Sequence, residues 1–204
     1  GPMMDKIWRE RLISLAFILP LLLAAFVAPA RYILFGKFPD AYMIDHLIQI
    51  VVLMGGIGIA MRWVNKQGYH IQFYPNRWRF KWVAFAVFIG IIAAFVFFGE
   101  LMFMRQTGLL LILVITYAIT EEYLFRGVFI SVWRRHMNIN AVIIFQAVLF
   151  ALLHQQVYPW YRMSYFVFGI LMGLFMKNTH KHALAYPAIA HLVANILEFI
   201  MVTA

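Results

Sequence analysis

The sequence contains no cysteine. Disulfide frameworks, thiolate metal sites and a cysteine nucleophile are excluded together. Charge is scarce as well: Asp, Glu, Lys and Arg make up 12% of the 204 residues, against about 25% in a soluble domain. Acid is the scarcer sign, with 8 Asp and Glu beside 17 Lys and Arg. Serine occurs only as Ser14, Ser131 and Ser164, none of them in a Gly-x-Ser-x-Gly elbow. No His-Glu-x-x-His run marks a zinc protease. Aspartyl chemistry within a membrane needs two intramembrane aspartates; Asp45 is the one candidate, since Asp5 and Asp40 fall in loops.

What fills the chain instead is apolar. Hydrophobic residues make up 65% of it, and its mean hydropathy is +0.83. Such a chain has lipid as its main solvent. A spanning helix needs about 20 mostly apolar residues. Seven runs approach this: Leu12–Ala30, Tyr42–Met61, Trp82–Phe98, Leu109–Ile130, Asn140–Tyr158, Met163–Met176 and Ala183–Val202. The expected fold is all-α, a polytopic transmembrane helix bundle of about seven spans. Gly1-Pro2 reads as a tag scar, and Leu12–Ala30 as a first span rather than a cleavable signal. No repeat, low-complexity tract or linker divides the chain. Residues 1–204 are therefore expected to form one integral membrane domain, with N-terminal spans and a surface segment over 3–108 and a motif-bearing core over 109–204.

The formal charge of +9 would suggest nucleic acid in a soluble protein. Here the bases sit between apolar runs, so no nucleic-acid partner is expected; the bilayer is. With a cytoplasmic N-terminus, the inner loops hold Lys6, Arg9, Arg11, Arg62, Lys66, Arg77, Arg79, Lys81, Arg134, Arg135, Lys177 and Lys181. The outer loops hold only Arg31, Lys37, Arg105 and Arg162. The positive-inside rule then puts the N-terminus inside and the C-terminus outside. Between spans two and three, NKQGYHIQFYPNRWRFK interleaves rings with bases and reads as a membrane-surface segment.

Ionisable residues inside spans are expensive and usually functional. Span four carries Glu121, Glu122 and Arg126; span five carries His154; span seven carries His191, Asn195 and Glu198; Asp45 and His46 open span two. On a helix, residues four apart share a face and neighbours diverge by about 100°. Glu122 and Arg126 therefore pair, and Glu121 is left without a partner on its own helix. Phe150 and His154 are four apart, as are His191 and Asn195. At about 1.5 Å per residue, Glu121 lies about 18 Å from the outer end of span four and His191 about 12 Å from the inner end of span seven. These depths coincide in a core of about 30 Å. His154 comes out about 9 Å nearer the outside. Taken singly, most of these residues have bland readings: Glu122–Arg126 a structural pair, His191 and Asn195 packing glue, Phe150 a cavity wall, Glu198 a packing or interfacial residue, and His180-Lys181-His182 a solvated loop.

Three motifs follow in order on three apolar runs: Glu121-Glu122-Tyr123-Leu124-Phe125-Arg126, Phe150-Ala151-Leu152-Leu153-His154 and His191-Leu192-Val193-Ala194-Asn195. Together they resemble the CAAX prenyl protease and bacteriocin-processing family, also called Abi proteins, over about residues 109–203. The resemblance implies a glutamate-dependent intramembrane endopeptidase. Glu121 with His154 would activate a water, His191 and Asn195 would stabilise the oxyanion, and Glu122 and Arg126 would support the site. The substrate would be a peptide, or a protein with a membrane-embedded or C-terminal tail, and the location a prokaryotic cytoplasmic membrane. Glu198 belongs to none of these motifs.

The residue types suit that chemistry. Peptide hydrolysis needs an activated water, an oxyanion donor and a proton for the leaving amine, and a carboxylate, two imidazoles and a carboxamide supply all three. No cofactor is required. The alternative within enzymes is zinc held by Glu121, His154 and His191, an ordinary ligand set for that metal. Outside enzymes, the same residues would form the polar core of a bacteriocin-immunity or binding protein. A proton-coupled transporter is disfavoured, because the sequence has neither internal symmetry nor paired broken spans.

Overall fold

The computed structural model describes residues 1–97, 108–154, 159–178 and 183–203, with the backbone alone at 25–29, 32, 35, 36, 39, 40, 159 and 160. Over these residues the structure is helical, without strands. Seven helices follow in order: α1 (Pro2–Lys37), α2 (Pro39–Lys66), α3 (Phe80–Val96), α4 (Gly108–Trp133), α5 (Ile139–Leu153), α6 (Pro159–Asn178) and α7 (Ala185–Thr203). By length and composition α2 from Ala41, α4 and α7 can each cross a membrane; α3 and α5 are shorter apolar helices. Large side chains such as Val51, Ile59, Phe88 and Phe95 face outward, as a lipid solvent allows.

Two helices outrun their apolar stretches. α6 covers 20 residues, well beyond Met163–Met176. α1 starts at Pro2, where a missing N–H removes no helical bond. Its first turns look too polar for a span, yet Glu10, Arg11 and Ser14 are buried. They pack on protein instead of lipid. The Trp133 indole N–H donates to Ser14 Oγ at 2.9 Å. The Arg11 guanidinium lies 5.1 Å from the Trp8 ring and 4.8 Å from that of Trp133. The Tyr69 hydroxyl donates to Glu10. Phe98, Arg105, residues 155–158 of the expected fifth span, and the His180-Lys181-His182 cluster lie outside the described residues.

These contacts begin to define one end of the bundle, and others complete it. The Arg135 guanidinium sits 3.8 Å from the Tyr69 ring, and Lys177 Nζ donates to Asn140 Oδ1 at 2.7 Å. Backbone N–H groups of Leu184 and Ala185 donate to the carbonyls of Gln72 and Phe73 at 3.0 and 2.7 Å. The starts of α1, α3, α5 and α7 and the ends of α2, α4 and α6 therefore gather at one end, so successive helices run antiparallel. Small residues set the closest crossings. A Cβ on Gly90 of α3 would meet Ala190 O of α7 at 2.6 Å, and one on Gly173 of α6 would meet Ile143 of α5 at 2.7 Å. Gly90 thus presses α3 against the turn of α7 that carries His191.

Candidate active site

α4 changes register in the middle of its motif. Gly108–Glu121 is α-helical, Glu122–Phe129 is π-helical with i→i+5 bonding, and Ile130–Trp133 is α-helical again. Stretches of π-helix are rare and often mark functional sites. This one starts between the two glutamates. Glu121, Glu122 and Arg126 are all buried.

Glu122 pairs with Arg126 as the spacing predicts, with Oε2 3.3 Å from Nε. Both side chains are fully buried, so neither charge faces lipid alone. The guanidinium carbon lies 4.2 Å from the centre of the Phe150 ring, a cation–π contact in a dry site. Phe150 thus forms the floor beneath the cation, and its ring also meets Phe125 edge-on at 5.5 Å.

Glu121 finds its partners on other helices. Its Oε2 lies 3.4 Å from His191 Nε2 and 3.9 Å from His154 Nε2. The second nitrogen of each ring is held from behind. His191 Nδ1 lies 2.7 Å from Glu122 Oε1. His154 Nδ1–H donates to the Phe150 carbonyl at 2.8 Å, a bond that leaves Nε2 as the atom facing Glu121. The offset of about 9 Å expected for His154 from helix rise is absent. The reason is local: α5 stops at Leu153 and His154 is its C-cap. A histidine there folds back onto the last open carbonyls instead of continuing outward.

Three contacts have no signal in the motifs. Tyr165 of α6 stacks on His154 with ring centroids 3.8 Å apart and planes at 15°. The other face of Tyr165 is covered by Phe97 at 4.1 Å. The bond from His191 to Glu122 makes one residue serve both the arginine and the imidazole. A polar chain also runs through α1, α2 and α4: Arg31 Nε lies 3.7 Å from Asp45 Oδ1, Gln49 donates to Asp45, and the Tyr117 hydroxyl donates to Gln49. Tyr117 stands four residues before Glu121, and an i, i+4 search from Glu121 would have found it.

The structure thus brings together Glu121, Glu122, Arg126, Phe150, His154 and His191 from α4, α5 and α7. Asn195 is turned toward the α4 backbone, where its Nδ2 donates to Val114 O at 3.0 Å. Asp45 belongs to the separate polar chain, and His46 is buried against the Tyr42 ring at 4.1 Å. Glu198 is buried on α7. Among the described residues, no group of three or more His, Asp and Glu side chains is arranged to hold a metal ion.

With two imidazoles aimed at one carboxylate and each anchored through its far nitrogen, the cluster is equipped to move protons. The family described as Rce1-like, type II CAAX prenyl endopeptidase, matches residues 103–197, a stretch that contains all three motifs. No curated protein and no solved structure matches the chain.

Proposed function

Residues 103–197 match the Rce1-like family of type II CAAX prenyl endopeptidases, and from that match we propose that this chain is a glutamic-type intramembrane endopeptidase. Its substrate is a peptide, or the membrane-embedded or C-terminal tail of a membrane-associated protein. The observation that carries this reading is the meeting of Glu121 Oε2 with two histidine Nε2 atoms at 3.4 and 3.9 Å.

A water bound between Glu121 and His154 would give its proton to the carboxylate as its oxygen attacks the scissile carbonyl. The proton then passes, with His154 as relay, to the leaving amine. His191 has a carboxylate near each nitrogen. Protonated at both, it would donate through Nδ1 to Glu122 and through Nε2 to the developing oxyanion. Asn195 Nδ2 carries a second hydrogen beyond the one given to Val114, and that hydrogen serves as the other oxyanion donor. One such donor is worth about 2.7–4 kcal/mol in comparable sites. Glu122 and Arg126 hold this frame and take no part in bond breaking. No cofactor enters these steps.

The test compares peptides released from membranes holding the native chain with those from membranes holding Glu121→Gln at equal abundance. Products that vanish with the variant, a loss of at least about 100-fold as for a removed general base, support the reading. Identical peptide sets would mean an immunity or binding protein of the same fold. Activity that persists in EDTA and 1,10-phenanthroline supports the metal-free mechanism; activity lost to chelators and restored by zinc supports the zinc alternative through Glu121, His154 and His191.

A further inference from the structure

A concavity whose lining includes none of the catalytic cluster lies where α2 and α3 are joined and α7 begins. Its volume is about 210 Å³, and it is lined by Pro75, Asn76, Arg77, Arg79, Trp82 and Tyr186. The wall is built rather than loose. Gln72 Nε2 donates to Tyr74 O at 2.7 Å and to Asn76 Oδ1 at 2.9 Å, and the Arg79 backbone N–H donates to the Tyr186 hydroxyl at 3.0 Å. The Trp78 ring meets Tyr186 edge-on at 5.6 Å.

Its charge is one-sided. Among the described residues neither Arg77 nor Arg79 has a carboxylate partner. The chain has only 8 acidic residues, and among the described ones none forms an ion pair with either arginine. Guanidinium groups present planar donor forks suited to phosphate oxygens. The concavity is also smaller than the roughly 300–1,000 Å³ of an ordinary small-molecule pocket. It suits a headgroup better than an acyl chain or a folded peptide.

Its surroundings give its depth. Tyr74, Trp78 and Phe80 are 67%, 48% and 85% exposed, and they alternate with Arg77, Arg79 and Lys81 along the chain. Rings and bases so mixed belong at the level of lipid headgroups. Arg11, Arg135 and Lys177 lie at the same end of the bundle, which favours an anionic leaflet there.

We propose that Arg77 and Arg79, framed by Asn76, Trp82 and Tyr186, bind the phosphate of an anionic phospholipid headgroup. The site is independent of the catalytic assignment. It touches α7 at Tyr186, five residues before His191, so bound lipid braces the start of the helix that carries the imidazole.

The test follows the thermal unfolding of the full chain in neutral detergent micelles, titrated with phosphatidylglycerol or phosphatidylcholine. Phosphatidylglycerol is expected to raise the unfolding temperature saturably, and phosphatidylcholine to leave it unchanged. Arg77→Gln/Arg79→Gln should need about thirtyfold more phosphatidylglycerol for half-saturation, the sum of two interfacial basic contacts. Arg62→Gln/Lys66→Gln, which removes the same charge from the exposed end of α2, should respond like the native chain. If the double arginine variant does not fold, Arg77→Gln alone gives the same comparison with a smaller shift. Equal responses to both lipids, or equal losses in the two double variants, would overturn the site. So would an arginine-dependent response confined to inorganic phosphate or to a short peptide with a free C-terminal carboxylate, since the occupant would then be a soluble anion or the substrate.

Discussion

Glu121 and Glu122 are adjacent and chemically identical, and their neighbours give them different tasks. Glu122 has Arg126 at 3.3 Å and His191 Nδ1 at 2.7 Å, so its oxygens are committed. Among the described residues, the ion-pair contacts of Glu121 are with imidazole nitrogens, at 3.4 and 3.9 Å. Breaking a buried pair costs about 3–5 kcal/mol, because the surviving charge is stranded. Arg126→Met is therefore expected to destabilise the fold by that amount in chemical unfolding, and Glu122→Gln/Arg126→Met to recover most of it. Activity should recover less than stability does, since a neutral amide in place of the Glu122 carboxylate is a weaker anchor for His191. The Glu122–Arg126 pair was legible in the sequence, because a four-residue spacing is a property of one helix. The bond between Glu122 and His191, and the Tyr165 ring stacked on His154, were not. They join different helices, and an aromatic residue on an apolar helix gives no sign of which neighbour it touches.

At the scale of the element, α4 and α5 each depart from a plain membrane helix at the site. The π-helical stretch Glu122–Phe129 has an ordinary helix-forming sequence, so periodicity could not reveal it. α5 ends at Leu153, which delivers His154 from a helix end; the continuous apolar run suggests a longer span. The order, number and approximate place of the helices were legible, because each buries or exposes a long apolar surface. Their contacts separate the glycines into two kinds. Gly90→Ala would put a methyl 2.6 Å from Ala190 O and 2.7 Å from Val193 Cβ. An overpacked contact of this kind costs about 1–3 kcal/mol, and α7 would be displaced at His191, so a lower unfolding temperature and lower activity are both expected. Gly56 on α2 has nothing within 4 Å of a built Cβ. Gly56→Ala should leave activity unchanged and stabilise the chain by about 0.5–1 kcal/mol, through lost freedom in the unfolded state.

At the scale of the molecule, the asymmetry of charge was readable before any fold was known, and the bundle gathers those bases at one end. What the sequence hid is that α1 is locked to that end by its polar turns. Burial, and then the hydrogen bond to Glu10, push the Tyr69 hydroxyl well above its ordinary pKa, so it stays a donor at any neutral or mildly alkaline pH. Tyr69→Phe leaves the buried Glu10 short of that donor, at a cost of about 1–3 kcal/mol. The expected result is earlier thermal release of α1, read as faster proteolysis within residues 2–14, while the catalytic cluster stays intact.

The most direct measurement is a double-mutant cycle on cleavage of one defined peptide, taken from the membrane comparison, by purified native chain, Glu121→Gln, His154→Gln and the pair. Residues that act on the same water lose their effect together. Each single variant is expected to fall at least about 100-fold, and the pair no further than the weaker single. Losses that multiply, or a Glu121→Gln variant that still cuts at the native rate, would contradict a shared catalytic role for these two side chains.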